Sequence, residues 1–115
     1  NIMTRTVVIC GVGMVPFKKP GKSDGYEIMG RDAAIAALQD STLSYNDIDQ
    51  AFASYVYGDS CAGQAALYGV GITGIPITNV NNNCASGSTA FSLAAQAIKY
   101  GISECVMATT QVNKF

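Results

Sequence analysis

The sequence predicts an α/β fold, in which a mostly parallel sheet carries helices on both faces. Short segments rich in β-branched and apolar residues alternate with alanine-rich segments of helical length, in the order βαβαβαβ. Strands that alternate with helices are joined by right-handed crossovers, which place the strands parallel and the helices on both sides of the sheet. The chain of 115 residues is long enough for one domain with a modest core, so residues 1–115 are predicted to form a single domain.

Four short apolar segments bounded by turn residues are predicted to be strands: 4–10, 50–58, 75–80 and 104–110. The first reads "TRTVVIC" and is followed by Gly-Val-Gly, so we expect a buried strand that ends in a tight turn. Residues 15–25 contain prolines and glycines and predict a loop. Residues 44–47, "SYND", have the spacing of a capping box and predict a short helical turn.

Three segments are predicted to be helices: 26–41, 61–71 and 84–101. In the first of them, Ile28, Ile35 and Leu38 are expected to lie on one face, which would pack against the sheet. Gly101 is expected to end the third helix, because glycine adopts the left-handed conformation that commonly follows a helix.

The composition excludes several classes of function. The formal net charge of −1 provides no basic surface for nucleic acid, so no nucleic-acid partner is expected. No run of apolar residues is long enough to span a bilayer, so no integral membrane segment is expected, and the first residues do not resemble a signal peptide. The four cysteines are far apart and form no CxxC pair, which predicts reduced thiols in an intracellular protein, without a metal site.

Three of the cysteines are expected to have structural roles. Cys10 and Cys105 fall inside predicted strands, where a cysteine packs as a small hydrophobic residue. Cys61 opens a predicted helix, and a role in packing or in an interface is expected for it.

Two further motifs are weak. The segment "GVGMVP" (11–16) follows a predicted strand but has Pro16 where a dinucleotide-binding fingerprint has its third glycine, which argues against such a site. Lys18, Lys19 and Lys22 could contact a phosphate, but a short run of lysines in a loop more often forms a solvated surface.

Cys84 lies in the segment "NNNCASGSTA" (81–90), at the predicted start of a helix. Asparagine is a common N-cap residue, so residues 81–83 are expected to cap the helix and to place Cys84 in its first turn. There the helix dipole and the free N–H groups stabilise an anion, and the thiolate is the nucleophilic form of cysteine.

The residues that follow Cys84 suggest an accessible sulfur on a buried helix. Residues 85–88 are small and leave room for a substrate, and the helix carries its first charge only at Lys99. We therefore expect a helix buried on all sides that holds the thiol at the floor of a pocket. From these residues alone, a nucleophile and a cysteine packed at a helix cap both remain open.

The segment "TGIPITNVNNNCASGSTAFSLAAQAIKYGISECVMA" (73–108) resembles the nucleophile segment of thiolases of the sterol carrier protein 2 type. Residues 7–24 resemble the first strand and loop of that family, and residues 55–76 resemble its second strand and helix. The resemblance extends to about Ala108, and its most specific part is the asparagine–cysteine motif.

This resemblance implies a fold, a reaction and partners. The fold would be a thiolase-like half-domain, one of two similar βαβαβαββ halves stacked in five layers. The reaction would be cleavage of a 3-oxoacyl-CoA by coenzyme A, with Cys84 as the residue that is acylated. Acyl-CoA and coenzyme A would be the small-molecule partners, with coenzyme A as co-substrate and no bound cofactor. The complete protein would be a homodimer or homo-oligomer, peroxisomal in a eukaryote and cytoplasmic in a bacterium.

The sequence departs from the family in ways that leave alternatives open. The family uses histidines and a second cysteine from its C-terminal half, and these 115 residues contain no histidine, so this stretch alone is expected to be inactive. Residues 109–115 do not match the family well, and "DSCAGQ" (59–64) carries its cysteine one place earlier than "DSTCGQ". A non-catalytic half-thiolase that acts as an interaction subunit, and a related enzyme that runs the condensing direction, are the alternatives.

Overall fold

A computed structural model describes residues 3–19 and 21–111 and contains a parallel sheet between helices. The strands are β1 (Gln50–Tyr55), β2 (Ile77–Val80) and β3 (Val106–Gln111), and the helices are α1 (Tyr26–Ser41), α2 (Ala62–Leu67) and α3 (Ser86–Lys99). The order across the three-stranded sheet is β2-β1-β3, and both pairings are parallel. The predicted α/β class, with a mostly parallel sheet, is confirmed.

The helices lie on both faces of the sheet, as predicted. Ala51 on one face of β1 packs in a core with Ala34 of α1 and Leu67 of α2. The opposite face is directed at α3, because a Cβ on Gly87 of α3 would lie 3.1 Å from the Thr110 hydroxyl of β3. Successive side chains of a strand point to opposite faces, which explains how one short sheet serves both helix layers.

Small residues let α2 lie very close to the sheet. A Cβ on Gly63 would overlap the Ala53 side chain and would lie 2.9 Å from Asn79 Oδ1. The core itself is formed by buried side chains from α1, β1, α2 and β3 and from the connection between α1 and β1: Ala34, Tyr45, Ile48, Ala51, Leu67 and Met107.

Helix α1 has the predicted bounds, but its fully buried residues are not the predicted ones, and Ile35 is only half-buried. The buried residues of α1 are Tyr26, Gly30 and Ala34, whereas Ile28 is 39% exposed. Small residues occupy the buried face because α1 lies close to α2 there. A Cβ on Gly30 would lie 2.8 Å from Ala66 Cβ, so this contact requires a residue without a side chain. Leu38 does pack against the core, as expected.

The prediction of a buried strand over residues 4–10 is wrong. Residues 3–19 form no helix or strand, and Val8 and Ile9 are 74% and 66% exposed. The backbone bonds at Arg5 and Val12 run to Lys99 O and Asp40 Oδ2, not to a strand. β-branched residues favour a strand mainly because their side chains pack well on a sheet. Their presence in residues 4–10 does not ensure that a neighbouring strand is there to pair with.

The remaining elements are close to the predictions but shorter. The capping box is confirmed, because the Ser44 side chain accepts from Asn46 N and Asp47 Oδ2 accepts from Ser44 N at 2.8 Å. Gly101 has φ of +72° just beyond α3, which also agrees with the prediction. The loop prediction for 15–25 is confirmed for its described residues; Pro20 and residues 112–115 lie outside them.

Candidate functional site

Cys84 lies in the loop between β2 and α3, at the carboxyl end of the parallel sheet. In open α/β sheets this edge is where ligands bind, because the loops that follow parallel strands meet there. The loop between β1 and α2 ends at the same edge, and it carries Cys61. The topology therefore gathers two of the four cysteines at one edge of the sheet.

A tight turn presents Cys84 to solvent. Asn83 has φ of +48°, a left-handed conformation that asparagine tolerates better than most residues. The Asn81 side chain accepts a hydrogen bond from Asn83 N at 3.1 Å, and Ala85 N donates to Asn82 O at 3.0 Å. These bonds fold residues 81–85 back on themselves and leave Cys84 exposed.

The expected asparagine cap is not formed. Helix α3 begins at Ser86, and its N-cap is Ala85, which has no side-chain cap, so Cys84 precedes the helix and does not lie in its first turn. The buried Ser86 hydroxyl takes the organising role: it accepts from Asn82 N and donates to Asn83 O, both at 2.7 Å. Sequence reasoning missed Ser86, although serine near a helix start often bonds nearby backbone groups.

The expectation that Cys84 lies at the floor of a pocket under a fully buried helix is also wrong. Helix α3 buries Ala90, Ala94 and Ala97 on one side, while Phe91 on the other side is 53% exposed. The sheet covers only one side of the helix, so the rest of the apolar surface remains open.

A side-chain network joins α2 to β2 near this edge. Asn79 Oδ1 accepts from Gly63 N at 2.7 Å, and Asn79 Nδ2 donates to Gln64 Oε1 at 2.7 Å. Gln64 Nε2 in turn donates to Ile77 O at 3.2 Å. Helix α2, which begins next to Cys61, is thereby fixed to the end of β2, which leads to Cys84.

Tyr26 lies at the start of α1 and is buried. Burial raises the pKa of its hydroxyl above the usual value of 10.0, and the carboxylates of Glu27 and Asp59 raise it further, while a backbone hydrogen bond with Asp59 partly opposes them. Tyr26 is therefore a neutral hydrogen-bonding group at neutral pH.

An apolar groove of about 630 Å³ runs between residues 7–18 and the free edge of β3. Helix α1 contributes Met29 and α3 contributes Phe91 to its walls. Gln111, at the end of β3, also lines the groove; it is 2% exposed, and neither side-chain polar atom has a hydrogen-bond partner among the described residues. Cys84 is not among the residues that line this groove.

Cys10 and Cys105, which were both predicted to be buried in strands, differ in their exposure to solvent. Cys10 is exposed, which contradicts its predicted burial, because the segment that carries it is not part of the sheet. Cys105 is half-buried and packs against the core. Burial raises the pKa of the Cys105 thiol, and the neighbouring Cys10 and Asp49 add to the increase.

Cys61 is exposed and has φ of +60°, so the expected packing role is not seen within this chain. Lys18, Lys19 and Lys22 are exposed, as a solvated surface would be. Gly11, the first glycine of the segment 11–16, lies against α1. A side chain does not fit there, because a Cβ would lie 2.5 Å from Ala37 O.

In the described part of the chain, no helix has the length and apolar character needed to cross a membrane. Among the same residues, no group of three or more histidine, cysteine, aspartate or glutamate side chains is placed to hold a metal ion.

The sequence profile of the thiolase N-terminal domain matches residues 7–111. Sterol carrier protein 2 of Gallus gallus is 48% identical over 109 residues, which are 93% of this chain and 20% of that protein. Sterol carrier protein 2 of Homo sapiens is 50% identical over 107 residues, with 90% and 20% coverage. Non-specific lipid-transfer protein-like 2 of Caenorhabditis elegans is 50% identical over 103 residues, with 88% and 25% coverage. The chain thus spans about a fifth to a quarter of the length of these relatives.

Solved structures show the same fold at low identity. The 3-oxoacyl-[acyl-carrier-protein] synthase III of Aquifex aeolicus VF5 superposes with a TM-score of 0.75 at 17% identity, over 83% of this chain and 32% of that chain. The priming β-ketosynthase of the R1128 polyketide pathway superposes with a TM-score of 0.62 at 24% identity, over 81% and 29%. These values support a thiolase-like half-domain.

The profile covers nearly all of the described residues, and the relatives are about half identical over about nine-tenths of the chain. The chain belongs to the thiolase family, as the N-terminal part of a member of the sterol carrier protein 2 type.

Proposed function

We propose that the protein of which this chain is the N-terminal part is a 3-oxoacyl-CoA thiolase, and that Cys84 is its acyl-accepting nucleophile. The observation that carries the proposal is the position of Cys84, exposed on a tight turn at the carboxyl end of the parallel sheet of a thiolase N-terminal domain. An exposed sulfur held by a rigid turn meets two needs of a nucleophile, which are access and orientation.

The proposed reaction has two steps. The Cys84 thiolate attacks the 3-oxo carbon, the bond between carbons 2 and 3 breaks, and the departing enolate of acetyl-CoA takes up a proton. The thiolate of coenzyme A then attacks the acyl-Cys84 thioester, which forms the shortened acyl-CoA and restores the free cysteine. These 115 residues contain no histidine, so we propose that residues outside them stabilise the enolate and transfer the protons.

The test is thiolysis of a 3-oxoacyl-CoA by the full-length protein with Cys84→Ala. We expect the rate to fall by several orders of magnitude, because loss of a covalent nucleophile removes the whole catalytic unit. Cys61→Ala is the matched control, since Cys61 is another exposed cysteine at the same edge of the sheet, and it should retain activity.

Trapping the intermediate makes the test independent of rate. Incubation with substrate in the absence of coenzyme A should add one acyl group to the tryptic peptide 32–99, and fragmentation should place it on Cys84. Substantial thiolysis by Cys84→Ala, or acylation on Cys61 in the wild type, would refute the assigned role.

A second candidate is a non-catalytic half-thiolase that acts as an interaction subunit. The exposed apolar groove favours it, because a monomer rarely leaves so much apolar surface uncovered. Sizing of the 115-residue chain tests this candidate: it should elute as an oligomer or with a partner, and a sharp monomer peak at high concentration would argue against it.

A further inference from the structure

The apolar groove follows the free edge of β3 and is open to solvent. Residues 7–18 form one wall, and side chains of α1 and α3 complete the others. Strand β3 has six residues and is therefore roughly 20 Å long. The volume of about 630 Å³ lies within the range of about 300–1,000 Å³ that is usual for small-molecule sites. The groove thus has the size of a ligand site and a length that suits an extended alkyl chain.

The walls of the groove are mainly apolar and poorly covered. Val8, Val12, Met14 and Phe17 line the groove, and all four side chains are largely exposed. Scattered exposed apolar residues are common on proteins, but a contiguous apolar surface of this kind usually marks a binding site. What binds there is indicated by the few polar residues of the groove.

Gln111 is a buried polar side chain at the carboxyl end of the groove. It is 2% exposed, and neither Nε2 nor Oε1 has a hydrogen-bond partner among the described residues. The amide is packed beside α1, where a Cβ on Gly30 would lie 2.9 Å from Nε2. A buried amide without a partner is costly, so a ligand that supplies one is favoured. The long glutamine side chain can turn its amide from Gly30 toward such a ligand.

Lys18 is the one charged residue among the described residues that line the groove. From Gly11 to Gly13 the segment runs along α1 toward the start of that helix. Lys18 follows in the same direction, so it lies toward the end of the groove at which Gln111 is buried. An anionic head group is therefore matched by the charge of the groove, and a cationic one is not.

We propose that the groove binds a fatty acid, with its alkyl chain along β3 and its carboxylate at Gln111 and Lys18. The carboxylate accepts a hydrogen bond from Gln111 Nε2, and the Lys18 ammonium balances its charge. The alkyl chain covers the apolar side chains of residues 7–18. Binding is reversible, because no covalent bond forms. Cys84 does not line this groove, so the inference rests on neither Cys84 nor thiolase activity.

The test is photolabelling of the full-length protein with a fatty acid that carries a diazirine in its alkyl chain. Cleavage after lysine and arginine places one wall on peptide 6–18, β3 on peptide 100–114 and Cys84 on peptide 32–99. We expect label on peptides 6–18 and 100–114, and palmitic acid should compete for it. Methyl palmitate has the same chain without the charge, and it should compete roughly tenfold less well. Absence of label from peptide 6–18 would overturn the proposal.

Two variants test the partners of the head group. Gln111→Leu should raise the fatty-acid concentration for half-maximal labelling roughly tenfold, and it should also raise the unfolding temperature without ligand, because it removes an unpaired buried amide. Lys18→Ala should weaken labelling severalfold. Lys19→Ala is its matched control, since Lys19 is an exposed neighbour that does not line the groove. Equal effects of the two lysine substitutions would contradict the assigned head-group site.

A third variant tests the position of the alkyl chain. Ala108→Phe places a large side chain in the groove from an exposed position of β3 and should abolish the label. Ala65→Phe, at an exposed position of α2 outside the groove, should leave it unchanged. Cys84→Ala should label as the wild type does, which separates this proposal from the proposed thiolase function. Undiminished labelling of Ala108→Phe would overturn the proposal.

Discussion

At the scale of single residues, the turn that carries Cys84 is held by the hydroxyl of Ser86. This buried group satisfies Asn82 N–H and Asn83 C=O at once, while the three asparagine side chains are not used to cap the helix. The backbone of Asn83 is in a left-handed conformation, and the Ser86 hydroxyl binds one peptide group before it, through Asn82 N, and the one directly after it, through Asn83 O. The position of the Cys84 sulfur therefore depends on a residue outside the asparagine–cysteine motif.

Replacing Ser86 with alanine should destabilise the fold by about 1–3 kcal/mol, because it leaves two backbone groups without their buried partner. Urea unfolding measures the change. Ser88→Ala is the matched control, since Ser88 is exposed on the same first turn of α3, and it should change the unfolding free energy by less than about 0.5 kcal/mol. Equal effects of the two substitutions would show that the Ser86 hydroxyl is not what holds the turn.

At the scale of secondary-structure elements, the distance between α2 and the sheet is set by the absence of a side chain on Gly63. An added Cβ would overlap Ala53 and crowd the Asn79 side chain, which forms the hydrogen-bond network between α2 and β2. Gly63→Ala should therefore cost about 1–3 kcal/mol by overpacking, despite the better helix propensity of alanine.

Gly58→Ala is the control for this substitution. Its Cβ would lie 3.3 Å from Ala62 Cβ and 3.4 Å from the Tyr55 ring, contacts that small shifts can relieve. We expect a loss of less than about 1 kcal/mol in thermal or urea unfolding. If Gly63→Ala is no more harmful than Gly58→Ala, the close approach of α2 is not required.

The sequence predicted the elements better than it predicted their surroundings. The bounds of α1, the capping box at Ser44 and the end of α3 near Gly101 depend on local chemistry, and all three agree with the structure. The buried face of α1 and the state of residues 4–10 depend on which other elements lie beside them. The apolar residues of segment 4–10 do not show whether a neighbouring strand is present. Likewise, the position of Ile28 in the sequence does not show that α2 packs against Gly30 on another face of α1.

The same distinction applies to the candidate site. Cys84 was predicted because asparagines and small residues surround a cysteine near a helix start, and the structure places it in that loop. An accessible sulfur was predicted from the small residues 85–88, but its place on an open turn before the helix and its dependence on Ser86 were not, because both depend on how the turn forms its hydrogen bonds. The tyrosine at the start of α1 and Gln111 at the end of β3 come near the sheet edge only through the fold.

At the scale of the whole molecule, stability should fall in alkaline solution. Burial raises the pKa of Tyr45, a core residue, above 10.0, and the neighbouring Tyr68 adds to the increase. Above pH 10 the unfolded chain loses this proton while the folded chain keeps it, so the unfolded state is favoured progressively as pH rises. The stability that neutral, buried Tyr45 contributes is fully present below pH 10 and is lost as the pH rises through the pKa of Tyr45 in the folded state.

Tyr45→Phe should reduce the slope of unfolding free energy against pH above 10, as measured by urea unfolding at several pH values. The slope should not vanish, because the pKa values of Tyr26 and Cys105 are also raised. Tyr100→Phe, a change on a half-exposed side chain, is the control and should leave the slope as it is in the wild type. An unchanged slope in Tyr45→Phe would contradict the assignment.

The strand order β2-β1-β3 also has a consequence for how the chain folds during synthesis. The ribosome completes the central strand β1 at Tyr55, but β1 pairs with β3, which is synthesised about fifty residues later. Ala51, for example, can pair only after Met107 has been made. A ribosome that has made only half of the chain therefore exposes a strand with an unsatisfied edge, and pairing over such a separation is slow. Until Gln111 has emerged, this edge is the surface that a chaperone would have to shield from neighbouring nascent chains.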